Sequence, residues 1–420
     1  MIGAMLTRNQ VRGFWAAWAG WALDGMDSFI YALVLDPALR ELLPRSGIPA
    51  TQPNVGFYGG LLFAVFLVGW GFAFLWGPIA DRFGRVRTLV LTILCYSAFT
   101  FLGCAAAGVW QLAAFRFLAG VGIGGEWTLG GVFVAEEWPE SRRQQGAAWM
   151  HTGYYFGIFL AAIVNYTVGS RYGWRAVFAF GGAPALLVAF IRYGVVEPKR
   201  WEQRLAQLNR RWTARDAFTA LFSPEYRRRT IINSALLFIS MIGLWAGSVY
   251  VPSSVRALAT TNGARMASYA TMLLSFGTIA GCLLLPTLAD RLGRRGALAF
   301  YFVLMFVCIS VGFGYVFYLG SNALPWFLVC LFFLGIGGAN FAVYTLWLPE
   351  QYRTECRGSA FAFATSAGRF VAAGVTFVVG AGVARMHTIG TPVALTSIAF
   401  LIGLAILPLA HETKGKELPL

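Results

Sequence analysis

The chain has 420 residues, of which 58 % are hydrophobic and only 12 % are charged. A soluble domain carries about twice that charged fraction, so the composition argues against a soluble enzyme and leaves room for about twelve membrane spans of about twenty residues. The net charge of +15 does not indicate nucleic-acid binding, because most of the 33 Lys and Arg residues fall on one side of the predicted spans. This asymmetry follows the positive-inside rule and predicts that both termini are cytoplasmic.

The apolar stretches divide the chain into two groups of six. The first spans are predicted at 13–36, 56–80, 88–108, 111–137, 145–168 and 175–194, and the second at 229–251, 266–289, 296–318, 324–347, 358–383 and 390–410. Two outer links, 40–54 and 252–265, are rich in Pro, Gly, Ser and Thr and are predicted to be loops. The polar insert at 195–228 predicts a cytoplasmic linker between a six-helix bundle at 1–194 and another at 229–420.

Two acidic side chains, Asp24 and Asp27, lie within the first predicted span. An ionisable group inside hydrocarbon is costly, so each is a functional candidate by default. The two positions share one side of a helix, which lets both face the same cavity. We therefore predict that one of them carries a proton, while the other could cap or pair locally.

A short motif follows the second span and recurs after the eighth. Residues 77–85 read Gly-Pro-Ile-Ala-Asp-Arg-Phe-Gly-Arg, and residues 286–294 read Pro-Thr-Leu-Ala-Asp-Arg-Leu-Gly-Arg. Charges at this density cannot lie in hydrocarbon, so each copy predicts a tight turn at the membrane surface. The duplication predicts two similar halves, which is the usual architecture of a carrier.

Acidic and basic residues also follow the fourth and tenth spans, and we expect ion pairs Glu136–Arg143 and Glu350–Arg357 beneath the two halves. Such pairs would break and re-form as the halves rock, and would hold one side shut. The residues predicted to bias conformation in this way are Asp81, Arg82, Arg85, Glu136, Arg143, Asp290, Arg291, Arg294, Glu350 and Arg357.

Three more ionisable groups lie within spans, namely Arg116 and Glu126 in the fourth and Arg369 in the eleventh. With the two aspartates they form three carboxylates and two guanidiniums, which sum to −1 when all are ionised. Protonating two carboxylates makes the set +1, which complements one substrate carboxylate, so proton and anion binding would favour each other. Guanidinium matches carboxylate with two parallel hydrogen bonds, so Arg116 and Arg369 are candidate anion clamps.

Structural roles are open for the same residues. Arg116 could pair with Asp24 without touching substrate, and Arg369 could pair with a first-half carboxylate as a gate. A hydrogen-bonded interfacial role explains His151 of the fifth span better than a proton relay does.

Aromatic and amide side chains within spans complete the candidate cavity. Most Trp and Tyr residues in spans serve packing or the interfacial belt, and amides often join helices, so these are weaker candidates. The aromatic candidates are Tyr31, Tyr154, Tyr155, Trp245, Tyr344 and Trp347. Asn340, Asn165 and Asn233 could orient substrate hydroxyls.

These motifs together resemble the major facilitator superfamily. That family has the Asp-Arg-x-Gly-Arg loop in both halves and an Arg-led, Gly-rich fourth span, matched here by Arg116 followed by Gly120, Gly122 and Gly124. The tail at 411–418 is similar to the Pro-Glu-Thr-Lys-Gly ending of sugar porters, with His411 at the Pro position. The resemblance implies an all-α membrane protein with twelve transmembrane helices in two pseudo-symmetric six-helix bundles.

The sequence of the first predicted span resembles particular branches of this superfamily. Asp24-Gly25-Met26-Asp27 resembles the Asp-Gly-x-Asp signature of proton-coupled organic-acid carriers, and residues 124–126 and 136–139 look most like the sialate/lactate branch. Aromatic-acid symporters share the signature. The resemblance implies a monomeric carrier of the inner or plasma membrane, which works by alternating access and takes up a small organic anion with protons. That anion is a lactate- or pyruvate-like monocarboxylate or sialic acid, or else an aromatic acid.

Three rival functions differ from this prediction. A sugar or polyol porter would need clusters of Gln and Asn in spans five and seven, and these spans contain few such residues. A drug/proton antiporter carries cations, which two buried arginines suit poorly. A membrane sensor without transport does not explain the charges in the spans. No metal-ligand spacing, nucleophile elbow or nucleotide loop occurs, so we expect neither enzyme activity nor a metal or cofactor.

Overall fold

The structure is a computed structural model that describes residues 6–182, 197, 201, 203, 214–261 and 263–419. Nearly half of the predicted linker at 195–228 therefore lies outside the described residues, as does the side chain of Trp245. Within the described residues all regular structure is helical.

Within its described residues, the first half contains seven α-helices. They are α1 (Arg8–Arg45), α2 (Gln52–Gly71), α3 (Trp76–Phe83), α4 (Arg85–Gly103), α5 (Val109–Glu137), α6 (Arg143–Val164) and α7 (Ser170–Phe180). A short helix, α8 (Ala214–Ala220), precedes the second half. The second half contains α9 (Arg227–Val249), α10 (Val251–Leu258), α11 (Gly263–Gly314), α12 (Ala323–Gly338), α13 (Asn340–Trp347), α14 (Arg357–Met386), α15 (Gly390–Leu395) and α16 (Ile398–Ile406).

In the described chain these helices trace eleven of the predicted spans, and α7 contains the first residues of the sixth. Three spans are built from two consecutive helices each, α2 with α3, α12 with α13, and α15 with α16, while α11 contains two spans divided at Gly293. Six helical runs are long and apolar enough to cross a membrane by length and composition alone. The other segments carry more polar residues or include residues outside the described set.

Glycines form the two turns that the repeated motif predicts. Gly84 has φ 113° and Gly293 has φ 76°, in the region that only glycine enters without steric cost. Each turn reverses the chain between an Asp-Arg pair and the following Arg, so the charged cluster lies at the end of the bundle. The N-terminal turn of α1 and the C-terminal tail lie at this same end, because Gln10 donates to the Glu137 carbonyl and Glu412 accepts from Arg294. We call this end the basic face.

Both predicted outer loops are wrong in part. The helix α1 continues to Arg45 through Pro37 and Pro44, because Glu41 near its end accepts from Trp174 at 2.7 Å and so holds this last turn against α7. The segment 252–265 contains most of α10, whose Pro252 lies in the first turn, where a missing N–H costs nothing. Loop composition alone does not separate a helix start from a loop.

The Gly-rich face of α5 brings the fourth span into backbone contact with the second. A Cβ added at Gly120 would lie 2.4 Å from the Phe66 carbonyl oxygen, and one at Gly124 would lie 2.2 Å from Ala73 Cβ. Small residues permit this close approach between membrane helices. The contact fixes where Arg116 and Glu126, on the same helix, enter the interior.

Candidate functional site

Five ionisable side chains meet in the interior of the protein. Each is at most 4 % exposed. They come from three spans, and one of these spans belongs to the second half. They are Asp24 and Asp27 on α1, Arg116 and Glu126 on α5, and Arg369 on α14.

Arg116 forms its ion pair with Asp27, at 3.6 Å between Nη1 and Oδ2. The guanidinium lies between two rings, 4.4 Å from the centroid of Tyr31 and 4.3 Å from that of Phe66. Ring faces attract a cation and hold it in place without neutralising it. The sequence leaves open whether Arg116 forms an ion pair with Asp24. In the structure its partner is Asp27. Tyr31 therefore orients Arg116.

Asp24 and Glu126 form a second acidic group next to this pair. Glu126 accepts from Thr92 at 2.7 Å, and its other oxygen, Oε2, lies against Gly20, where a Cβ would be 2.2 Å away. Gly20 is one helical turn before Asp24, so both carboxyls face the same seam between α1 and α5. Both Asp24 oxygens and Glu126 Oε2 are buried without a hydrogen-bond partner among the described residues. Two adjacent carboxylates in a dry site favour holding a proton.

Arg369 brings the second half into this charged group. Its guanidinium lies 4.2 Å from the Trp70 ring, donates to the Thr365 carbonyl, and lies within electrostatic range of Tyr154 and Asp24. A charge from α14 thus faces a carboxyl of α1 across the interface between halves. This placement fits both an anion clamp and a gate.

A group of rings lines the interior beside these charges. Trp21 packs against Trp127 at 5.7 Å and Tyr154 at 4.8 Å between centroids, and His151 lies 5.7 Å from Trp127 and 6.3 Å from Tyr155. Phe341 of the second half completes it, 5.8 Å from Trp127. We call these six residues, Trp21, Trp127, His151, Tyr154, Tyr155 and Phe341, the aromatic box.

A hydrogen bond joins the halves at the aromatic box. Trp127 Nε1 donates to Thr345 Oγ1 at 2.7 Å, and both side chains are buried. Trp127 directly follows Glu126 along α5. The acidic group is therefore connected through one residue to the contact that closes the halves together.

Other predicted lining residues are engaged elsewhere. The Tyr344 hydroxyl lies 3.0 Å from Ser240 Oγ, and Trp347 donates to the His411 carbonyl at 2.9 Å, so both are committed to packing within the second half. Asn233 exchanges hydrogen bonds with Gln351 near the basic face. Asn165 belongs to the turn of π-helix after α6.

At the basic face, Asp81 of the first half caps α14 of the second. Its carboxylate accepts from Gly358 N at 3.0 Å, from Ser359 N at 2.7 Å and from Ser359 Oγ at 2.5 Å, and it also pairs with Arg85 at 2.7 Å. The first-turn N–H groups of a helix have no partner within it, and its dipole favours an anion there. The cap holds the two halves together.

The ion pairs at this face differ from the expected ones. Glu136 pairs with Arg85 at 3.1 Å and with Arg357 of the other half at 2.8 Å, while Arg143 lies 3.8 Å from Glu140. The turn at Gly84 brings Arg85 next to Glu136, so a residue of the repeated motif takes the place expected for Arg143.

The second half repeats the pattern in a looser form. Glu350 pairs with Arg294 at 2.7 Å, not with Arg357, and Asp290 is exposed and accepts from Gln144 of the first half at 2.8 Å. Arg82 and Arg291 are exposed at the basic face and do not enter these networks. The first-half motif therefore carries most of the described closing contacts.

Two acidic caps were missed in the sequence. Glu197 accepts from Arg85 N at 2.7 Å and Val86 N at 3.1 Å, at the start of α4. Glu412 accepts from Arg294 N and Arg295 N, both at 3.0 Å, just after the turn at Gly293. The signal was present, because each glutamate follows the last span of its half, and both precede a basic residue by two positions.

The Glu412 cap gives a testable pH dependence. Partial burial opposes its ionisation, but the backbone N–H donors of Arg295 and Arg294 outweigh burial and lower the pKa of Glu412. A lowered folded pKa adds stability that is present above the unfolded pKa and is lost as pH falls through the folded value. We expect Glu412→Gln to lower the melting temperature at pH 7, by the equivalent of about 1 kcal/mol.

Thermal unfolding in detergent at several pH values measures this effect. The difference between wild type and Glu412→Gln should shrink once the pH falls below about 4, whereas Glu417→Gln, at an exposed carboxylate of the same tail, should change little. A pH-independent difference would contradict the charge-based cap.

Comparison with known proteins supplies the family. The model of the Major Facilitator Superfamily matches residues 17–376. The "Probable 4-methylmuconolactone transporter" of Cupriavidus pinatubonensis is 31 % identical, with 97 % of this chain and 92 % of the relative covered. The "Sialic acid transporter NanX" of Escherichia coli is 23 % identical, with 97 % and 95 % covered.

A solved structure supports the fold. The proton:xylose symporter XylE bound to 6-bromo-6-deoxy-D-glucose superposes with a TM-score of 0.81 at 19 % identity, covering 98 % of both chains. The prediction of twelve helices in two pseudo-symmetric bundles is confirmed.

Proposed function

Because the chain belongs to the major facilitator superfamily and is a secondary transporter of organic acids, not an enzyme, we propose that it couples uptake of a small organic anion to protons. The observation that carries this proposal is the buried set of three carboxylates and two guanidiniums shared between the halves. Its net charge of −1 repels an anion until protons bind.

The coupling between proton and substrate binding follows from the balance of charge among these five side chains. Asp27 and Arg116 offset each other in the pair described above. Asp24 and Glu126 then face Arg369 with one negative charge too many, which favours a proton shared between the two carboxyls. A substrate carboxylate that binds Arg369 adds one negative charge, and a second proton, taken up by Asp27, offsets it and releases Arg116 from its ion pair. Proton and substrate therefore increase each other's affinity.

The basic face is the proposed gate on the cytoplasmic side. The excess of Lys and Arg at this face gives the orientation, with both termini inside the inner or plasma membrane. With Asp81 capping α14 and Glu136 bridging Arg85 to Arg357, the state described here is closed toward the cytoplasm. Breaking these contacts would release the substrate inward.

Two kinds of anion compete for the site. A lactate-like monocarboxylate or sialic acid needs the clamp and hydroxyl contacts, whereas an aromatic or planar unsaturated acid also uses ring stacking. The aromatic box favours an aromatic or planar unsaturated acid, because a flat ligand can stack on Trp and Tyr rings. A monomer suffices, since the site lies within one chain.

Uptake by purified protein in liposomes tests the proposal. We expect an inward gradient of two pH units to drive at least tenfold accumulation of a carboxylate from a panel of lactate, pyruvate, sialic acid and benzoates, since one proton per turnover supports up to about tenfold for each pH unit. Collapse of the gradient with a protonophore should abolish accumulation. Uptake that ignores pH, or uptake of hexoses alone, would contradict the proposal.

A further inference from the structure

A small cavity opens beside the aromatic box, mainly within the second half. Its walls combine rings, backbone and apolar side chains with a single amide, and they include Tyr155, Thr278, Met305, Gly338, Asn340 and Phe341. Tyr155 and Phe341 belong to the aromatic box as well, so the cavity continues the box away from the charges. A ligand held in the box would extend into it.

Asn340 supplies the distinctive polar group of this cavity. The residue is 0 % exposed, and its Nδ2 donates to the Gly337 carbonyl at 2.9 Å. Its Oδ1 has no hydrogen-bond partner among the described residues. A buried acceptor without a donor costs free energy, so a site that retains one is suited to a ligand that brings the donor.

His151 offers a second unpaired atom from the other half. The imidazole is 3 % exposed, lies nearly parallel to Phe341 with 6.4 Å between centroids, and has an Nδ1 without a partner in the described part of the chain. Phe341 directly follows Asn340 in α13, so the ring that lies parallel to His151 belongs to the residue next to the amide. A neutral imidazole nitrogen can donate or accept, and it therefore accommodates a hydroxyl that donates to Asn340.

The charged group adjoins the rings at Tyr154. Arg369 is in electrostatic range of Tyr154, and Tyr154 packs 5.7 Å from Tyr155, which lines the cavity. A ligand with its carboxylate at Arg369 and its ring in the aromatic box would direct its far end toward Asn340.

We propose that the cavity beside Asn340 is a specificity subsite for a hydrogen-bond donor at the end of the substrate remote from its carboxylate. The substrate class is then hydroxylated or N–H-bearing organic acids, in preference to acids that lack the donor. This inference rests on the proposed function, because the subsite ranks substrates only if the clamp binds an organic anion.

Matched substrates test the subsite in the wild-type protein. The pair 4-hydroxybenzoate and benzoate differs by one hydroxyl remote from the carboxylate, as does the pair 3-hydroxypropionate and propionate, while 4-methoxybenzoate keeps the oxygen but has no donor. We expect the donor-bearing acid of at least one pair to compete for uptake about tenfold better, the size of one net hydrogen bond, and 4-methoxybenzoate to behave like benzoate.

Substitution of Asn340 then assigns the preference to this residue. In Asn340→Leu, which has nearly the same volume and no acceptor, the tenfold preference should fall to about twofold or less, because benzoate binding survives while the donor loses its partner. Asn340→Ala gives the same readout with less crowding. The exposed Asn322→Leu, outside the site, should keep the wild-type ratio.

The outcomes separate the subsite from the proposed function. Transport of benzoate and 4-hydroxybenzoate at equal affinity, with 3-hydroxypropionate and propionate also equal, overturns the subsite and leaves anion symport intact. A preference that persists in both Asn340 variants also overturns it. If the wild type takes up no organic anion under a pH gradient, the proposed function fails and the subsite fails with it.

Discussion

Replacement of Asp27 by Asn should abolish accumulation driven by a pH gradient, by at least tenfold, while exchange of labelled for unlabelled substrate continues. Asp27 is completely buried and pairs with Arg116 at 3.6 Å. The amide cannot take up or release a proton, so the protein can still reorient with substrate but cannot draw energy from the gradient. The measurement compares gradient-driven uptake with counterflow in the same liposomes.

The conservative variant is the matched control for this result. Asp27→Glu keeps a titratable carboxyl beside Arg116 and should retain part of the accumulation, whereas loss of both uptake and counterflow would report a folding defect. Normal accumulation by Asp27→Asn would contradict the assignment. If Asp24→Asn instead showed the uncoupled behaviour, the proton would belong to the group formed by Asp24 and Glu126.

The second large effect is expected at the basic face. Asp81→Ala removes four contacts, those to Arg85, to Gly358 N and to both donors of Ser359, and leaves the Arg85 cation buried beside Glu136. The contacts to Gly358 and Ser359 join the halves, so the loss of these charge-assisted hydrogen bonds, about 1.5–3 kcal/mol each, falls on the closed state alone. We therefore expect the variant to populate the state that is open at the basic face.

Cys356 reports this opening without an introduced probe. It precedes α14, is 1 % exposed in the closed state, and burial raises the pKa of its thiol, so it should react slowly with a maleimide. In a protein whose other cysteines are replaced by Ser, Asp81→Ala should increase the labelling rate at least tenfold. The replaced cysteines are Cys95, Cys104, Cys282, Cys308 and Cys330.

The other copy of the motif provides the control. Asp290 occupies the equivalent position but is exposed and accepts from Gln144 alone among the described residues, so Asp290→Ala should change the labelling rate less than twofold. Equal acceleration by both substitutions would contradict the asymmetry of the gate. No acceleration by Asp81→Ala would show that the cap of α14 does not hold the face closed.

Much of the candidate site was predictable because burying a charge in hydrocarbon costs free energy. Asp24, Asp27, Arg116, Glu126 and Arg369 were identified from their positions in apolar runs, and all five lie in the buried interior. Hydropathy is a property of each segment, so it also predicted the spans and the two turns.

The partners of these residues were not predictable in the same way. Nothing local assigns Arg116 to Asp27, Glu136 to both Arg85 and Arg357, or a cap on α4 to Glu197. These pairings depend on how each helix is rotated about its axis and on how deeply it is inserted. A rotation of a few tens of degrees would change every partner while leaving the hydropathy pattern unchanged.

The sequence by itself determined that the chain spans a membrane in two related halves and which charged side chains must be buried, since solvation of single segments decides both. Only the tertiary structure decided that the first copy of the motif closes the basic face through α14, and that the Asn340 acceptor beside the rings has no partner among the described residues. Both depend on contacts between residues far apart in the chain, which the packing of helices creates.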